Sequence, residues 1–89
     1  MAAVIIDGAE VTCREQLHRV FSESLDFPDW YGGNLDALYD LLGGTNLPVD
    51  ITIVRSGLMS DEFSGYMERV LRVILRAAEQ NPNIKLYLG

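Results

Sequence analysis

The functional groups that could do chemistry in this chain are mostly carboxylates, and they are crowded into one stretch. Between Arg19 and Arg55 there is no basic residue, yet Glu23, Asp26, Asp29, Asp36, Asp40 and Asp50 all lie there. Three uses compete for such a set. Hard cations take carboxylate oxygens, but the calcium-loop pattern D-x-[DN]-x-[DN]-G-x5-E is absent. A general acid and base could be made from two facing carboxylates with separated pKa values, but that needs a cleft and further polar groups, which the rest of the chain does not offer. The third use is a binding face for a cationic partner.

Spacing supports the third use. Asn34 is placed to cap a helix whose apolar positions Leu35, Leu38, Tyr39 and Leu42 fall at i, i+3, i+4 and i+7. Asp36 and Asp40 then lie on the opposite face. Asp36 sits in the first turn, where the helix dipole favours an anion, but Asp40 lies near the negative end. It meets dipole repulsion of about 0.3–1 kcal/mol and a like-charge i, i+4 neighbour costing about 0.2–0.5 kcal/mol. A residue that opposes its own helix is either solvated and tolerated or kept for a partner. Just before it, the segment Asp26-Phe-Pro-Asp-Trp-Tyr-Gly-Gly33 carries three aromatic rings in a loop. Carboxylates flanked by Trp30, Tyr31 and Tyr39 have the composition of an interface hot spot. Tyr31 is expected to pack on the core and Trp30 to be exposed.

Enzymatic alternatives find little. His18, the one histidine, has no Ser or Cys placed for a base–nucleophile pair, and reads as a surface or boundary residue of a helix. Cys13 at a helix start could favour thiolate but has no partner base. No glycine-rich phosphate loop is present.

The elements that must position these groups follow from periodicity. Ala3–Ile6 is a short apolar run closed by Asp7-Gly8, expected as a strand buried on both faces. Thr12 and Glu15 form an S/T-x-x-E pattern, so a helix should start near Cys13 and bury Leu17, Val20, Phe21 and Leu25. Gly43-Gly44 should end the helix that carries Asp36 and Asp40. Val49–Val54 alternates as a second strand after Pro48. A short helical stretch is expected around 58–65, then a long helix over 66–80. That helix places Met67, Val70, Leu71, Ile74, Leu75 and Ala78 on one side and Arg69, Arg72 and Arg76 along another. Asn81-Pro-Asn83 stops it before a last strand, Ile84–Leu88. Strand, helix, helix, strand, helix, helix, strand implies an α/β fold, with a small three-stranded parallel sheet packed by about four helices.

Length and composition agree with one domain over residues 1–89. At 9.9 kDa the chain buries roughly 64% of its unfolded surface, enough for one core. No apolar run approaches the ~20 residues that span a bilayer, so no membrane partner is expected. The net charge of −6 divides into −7 over residues 1–50 and +1 over 51–89, which disfavours direct nucleic-acid binding and favours basic partners. A lone Cys13 and an N-terminus without a basic leader point to a reducing, cytoplasmic setting.

The block Phe27-Pro-Asp-Trp-Tyr-Gly-Gly-Asn-Leu-Asp-Ala-Leu-Tyr-Asp-Leu-Leu42 resembles the signature of the barstar family, intracellular inhibitors of barnase-type ribonucleases. The likeness extends through the opening strand, Leu17-His18, Pro48 and the Val70-Leu71 helix. It implies a barstar-like fold and an inhibitor without cofactors or metal that binds a small basic ribonuclease one to one and blocks its active site. Asp40 would stand in for a substrate phosphate, with Asp36 beside it. Trp30 stands where the family has Tyr, Tyr39 where it has Trp, and Gly44 matches a glycine that contacts the enzyme by its backbone; Asn34 and Asp29 complete the candidate set. Two further positions depart from the family pattern, with Arg76 where the family has a glutamate that also contacts the nuclease and Thr45 where it has a tryptophan. Arg76 could pair with Asp40 or Glu79, or meet an acidic feature of a different nuclease. The family also has a cis bond before its second-strand proline, here Leu47-Pro48, although Leu47 gives no local reason for one. The alternative reading keeps the fold and makes the chain an immunity or adaptor protein for a different toxin.

Overall fold

The computed structural model describes residues 2–89. Strand β1 (Ala2–Asp7) leads to helices α1 (Arg14–Leu25) and α2 (Leu35–Gly44). Strand β2 (Val49–Val54) follows, then a 3-10 turn at Ser56–Leu58, helix α3 (Asp61–Gln80) and strand β3 (Ile84–Leu88). The sheet is parallel in the order β1-β2-β3, with Val4 beside Ile51 and Ile51 beside Leu86.

There are three α-helices rather than about four. The segments expected at 58–65 and 66–80 are one helix, because Ser60 caps it early: its side chain accepts from the Phe63 N–H at 3.3 Å, and the exposed Gly65 does not break it. Phe63 is buried on the same stripe as Met67, Val70 and Ile74. Ala77 joins that stripe, whereas Leu75, expected inside, is 52% exposed.

β1 is covered on one face only. Val4 and Ile6 are fully buried, but Ala3 is exposed and Ile5 is 60% exposed. The reason is topological. In a parallel sheet whose neighbours follow chain order, crossovers of one hand fall on one face. The open face carries the register rows Ala3, Asp50, Lys85 and Ile5, Thr52, Tyr87. The covered face meets Leu17 and Phe21 of α1, Leu38 and Leu42 of α2, and the α3 stripe. Each such side chain contributes about 1.5–3 kcal/mol by leaving water.

The start of α1 differs in detail from the expected capping box. Thr12 turns to Gln16, not Glu15: the Gln16 Oε1 accepts from the Thr12 N–H at 2.7 Å and from its hydroxyl at 2.9 Å. Cys13 is the N-cap and makes no side-chain cap bond. At the carboxyl ends of β1 and β2, Arg55 ion-pairs with Asp7, which also accepts from the Ala9 N–H. Gly8 must be glycine here, because a Cβ would lie 2.2 Å from the Arg55 carbonyl oxygen. Among the described residues no peptide bond is cis, so Leu47-Pro48 is trans. No described helix is long and apolar enough to cross a membrane.

Candidate functional site

α2 presents the two aspartates as the spacing requires. Leu38 and Leu42 are fully buried, and that fixes the helix rotation so that Asp36 and Asp40 are exposed. Both ends of the helix are held. The Asn34 Oδ1 accepts from the Ala37 N–H at 2.8 Å, so this candidate contact residue spends its oxygen on the cap.

The other end is held from the far side of the fold. Asn81, 6% exposed, donates from its amide to the Leu42 carbonyl at 3.0 Å and the Thr45 carbonyl at 2.9 Å. Its Oδ1 accepts from the Asn83 N–H at 3.1 Å. Carbonyls that α2 cannot satisfy internally are thus met by a side chain from the end of α3. Gly43 and Gly44 form the last two positions of α2, as expected, and both are exposed.

The preceding loop is held from below by a cluster that sequence reading did not find. His18 is not at the surface but 5% exposed. Its Nδ1 hydrogen-bonds the Tyr31 hydroxyl and its Nε2 the Tyr66 hydroxyl, the latter at 2.7 Å. A neutral imidazole has one N–H and one lone pair, so one phenol donates to the ring and the other accepts from it. Burial, with Arg14 nearby, holds the His18 pKa below its usual value, and burial raises both tyrosines. The Tyr31 ring also packs edge-on against Phe27, with centroids 4.8 Å apart. Tyr31 is therefore the inward ring and Trp30, at 70% exposure, the outward one. His18 carries no local signal of this role, since Tyr66 is 48 residues away in the chain.

Two grooves flank the aspartates. One of about 790 Å3 is lined by Asp36, Asn34, Tyr31, Tyr66, Arg14 and Arg69, among others. The other, about 330 Å3, places Asp40 and Gly44 beside Leu25, Phe27, Pro28 and Leu47. Asp29 and Trp30 are exposed on the loop and line neither groove. Tyr39 is half-buried. Arg76 does not pair with Asp40 or Glu79; its guanidinium carbon lies 6.0 Å from the Tyr39 ring centroid. Among the described residues no three of His, Cys, Asp and Glu come together as a metal-binding set.

What the arrangement offers is an exposed pair of anions on a helix fixed at both ends, with an apolar groove beside Asp40 and an exposed indole on the loop that precedes the helix. Comparison with known proteins places the chain in a family. The sequence model of the family described as Barstar (barnase inhibitor) matches residues 1–88. A protein of Bacillus subtilis (strain 168), described as "Putative ribonuclease inhibitor YrdF", is 40% identical over 81 residues, which are 90% of this chain and 89% of that protein. A match over almost the whole length and a relative this similar give one conclusion: the chain belongs to the barstar family.

Proposed function

We propose that this chain is a ribonuclease inhibitor that acts inside the cell, binding a small basic ribonuclease one to one and covering its active site with α2 and the loop before it. The observation that carries the reading is the exposure of Asp36 and Asp40, one turn apart on a helix capped by Asn34 and clamped by Asn81. The carboxylates occupy the places of RNA phosphates against the enzyme's cations and offer no bond to cleave. Asp40, at the mouth of the groove beside Phe27 and Pro28, is the main anchor. Asp36 adds a second charge, Trp30 and Tyr39 add ring area, Gly44 allows close backbone approach, and Asp29 adds to the field. The name of the Bacillus subtilis relative supports the ribonuclease as the class of target.

The test is inhibition of purified small basic ribonucleases by the wild-type chain and by Asp40→Ala. Truncating one side of a buried charge pair leaves the other unpaired, and loss of about 2–5 kcal/mol, mostly as faster dissociation, is expected. That range is the one known for interfacial charge pairs, the barnase–barstar complex included. Equal binding by Asp40→Ala and wild type would remove Asp40 from the site.

A further inference from the structure

α3 carries a second charged row that the inhibitor reading does not use. Arg69, Arg72 and Arg76 recur at i, i+3 and i+7, all exposed, on the helix that packs against α2. Among the described residues none of them makes a close ion pair. Arg72 and Arg76 are a like-charge i, i+4 pair, which costs the helix about 0.2–0.5 kcal/mol. Glu68 and Glu79 stand within helical reach, yet among the described residues the one ion pair is Asp7–Arg55. None of the three guanidiniums is neutralised by Asp36 or Asp40 on the neighbouring helix.

Two of the three are instead seated on rings. Arg76 lies over Tyr39 at 6.0 Å and Arg69 over Tyr66 at 5.8 Å. A guanidinium near a ring face is attracted to it electrostatically while its N–H donors stay free for a partner. Tyr39 is the residue next to Asp40 and shares the turn with Asp36. The cation of α3 therefore reaches the helix that carries the anions, at a residue adjacent to Asp40 in the chain.

We infer that Arg76, held over Tyr39, is a recognition cation, and that the ribonuclease this chain inhibits presents a carboxylate opposite it, in addition to the cations that take Asp36 and Asp40. The inference rests on the inhibitor reading above and sharpens it by stating the partner's charge pattern. A ribonuclease whose active-site rim is basic throughout meets Arg76 with like charge and is discriminated against, so a single residue both attracts the right partner and repels a wrong one.

The experiment uses the full chain and a panel of purified small basic ribonucleases, with dissociation constants measured for wild type, Asp40→Ala, Arg76→Glu and Arg76→Lys. For the ribonuclease that wild type binds most tightly, Arg76→Glu is expected to weaken binding at least about tenfold, and Arg76→Lys less. Replacing the facing carboxylate of that ribonuclease by Lys should restore the affinity of Arg76→Glu. For ribonucleases with a wholly basic rim, Arg76→Glu should bind more tightly than wild type. Arg76 is exposed, so unchanged thermal melting of Arg76→Glu serves as the folding control. Unchanged or tighter binding of Arg76→Glu to the best partner, while Asp40→Ala still loses it, overturns the inference and leaves the inhibitor reading standing. No binding of wild type to any member of the panel overturns both. If Arg76→Glu abolishes binding of a single-stranded RNA oligonucleotide to the free chain and leaves ribonuclease affinity alone, the row serves phosphates and the inference fails.

Discussion

His18 and Tyr66 meet through a 2.7 Å hydrogen bond between Nε2 and the phenol oxygen, and this joins α1 to α3 directly beneath the loop that presents Trp30. With Tyr31 on the other ring nitrogen, the imidazole fixes three segments of the chain at one point. The binding loop is thus ordered by a polar cluster as well as by the apolar contact between Phe27 and Tyr31.

Removing one phenol oxygen should show that dependence. Tyr31→Phe leaves a ring nitrogen of a buried imidazole without its partner, and an unmet buried polar group costs about 1–3 kcal/mol. For a domain of this size about 1 kcal/mol moves the melting temperature by roughly 4–8 °C. Thermal and denaturant unfolding of Tyr31→Phe should both report the loss. Because the loop carries Trp30, weaker partner binding should accompany it. Unchanged melting would show that the cluster contributes nothing to stability.

The same cluster predicts an acid-sensitive fold. Burial holds the folded-state pKa of His18 below its unfolded value of about 6.5. The unfolded chain therefore takes up the proton more readily, and protonation favours unfolding. The stabilisation is fully present above about pH 6.5 and declines as pH falls towards the folded-state value. Melting temperatures of wild type and His18→Gln, measured from pH 7.5 down to pH 5, should differ in slope, with the variant flatter. Parallel curves would mean that His18 does not titrate on unfolding in this range.

Asn81 is a distant support of the candidate site. Its amide meets the carbonyls of Leu42 and Thr45, which straddle Gly44. Asn81→Ala strips partners from those carbonyls at a cost of about 1–3 kcal/mol and frees the backbone around Gly44. Affinity for the ribonuclease should fall although Asn81 itself is buried. Amide exchange measured across residues 42–45 should accelerate in the variant; protection equal to wild type there would exclude the clamp.

Association with a basic ribonuclease should slow steeply as salt is added. The charge of −7 on residues 1–50 supplies long-range attraction, and ions screen it beyond about 10 Å at 0.1 M. Stopped-flow rates at several ionic strengths give the slope, which Asp36→Asn should reduce. A rate independent of salt would rule out steering by this surface.

Much of the positioning was written in local pattern. The spacing of Leu35, Leu38 and Leu42 fixes which way Asp36 and Asp40 point, because a helix has one period and its apolar stripe must face the core. Asn34 as a cap and the three strands were legible for the same reason: each is decided by residues within a few positions of one another, and the parallel sheet followed from the helices between the strands. The block from Phe27 to Leu42 was also enough to suggest the family. What needed the folded chain were the contacts between residues far apart in sequence. That β1 is covered on one face follows from the order of strands and not from its own apolar run. His18 lies inside because Tyr31 and Tyr66 reach it from two other segments, and Asn81 serves α2 from 36 or more residues away. Arg76 sits on Tyr39 because two helices pack side by side. Periodicity is a property of one element, whereas a hydrogen bond or a cation over a ring needs two, and their approach is set by the packing of the whole core.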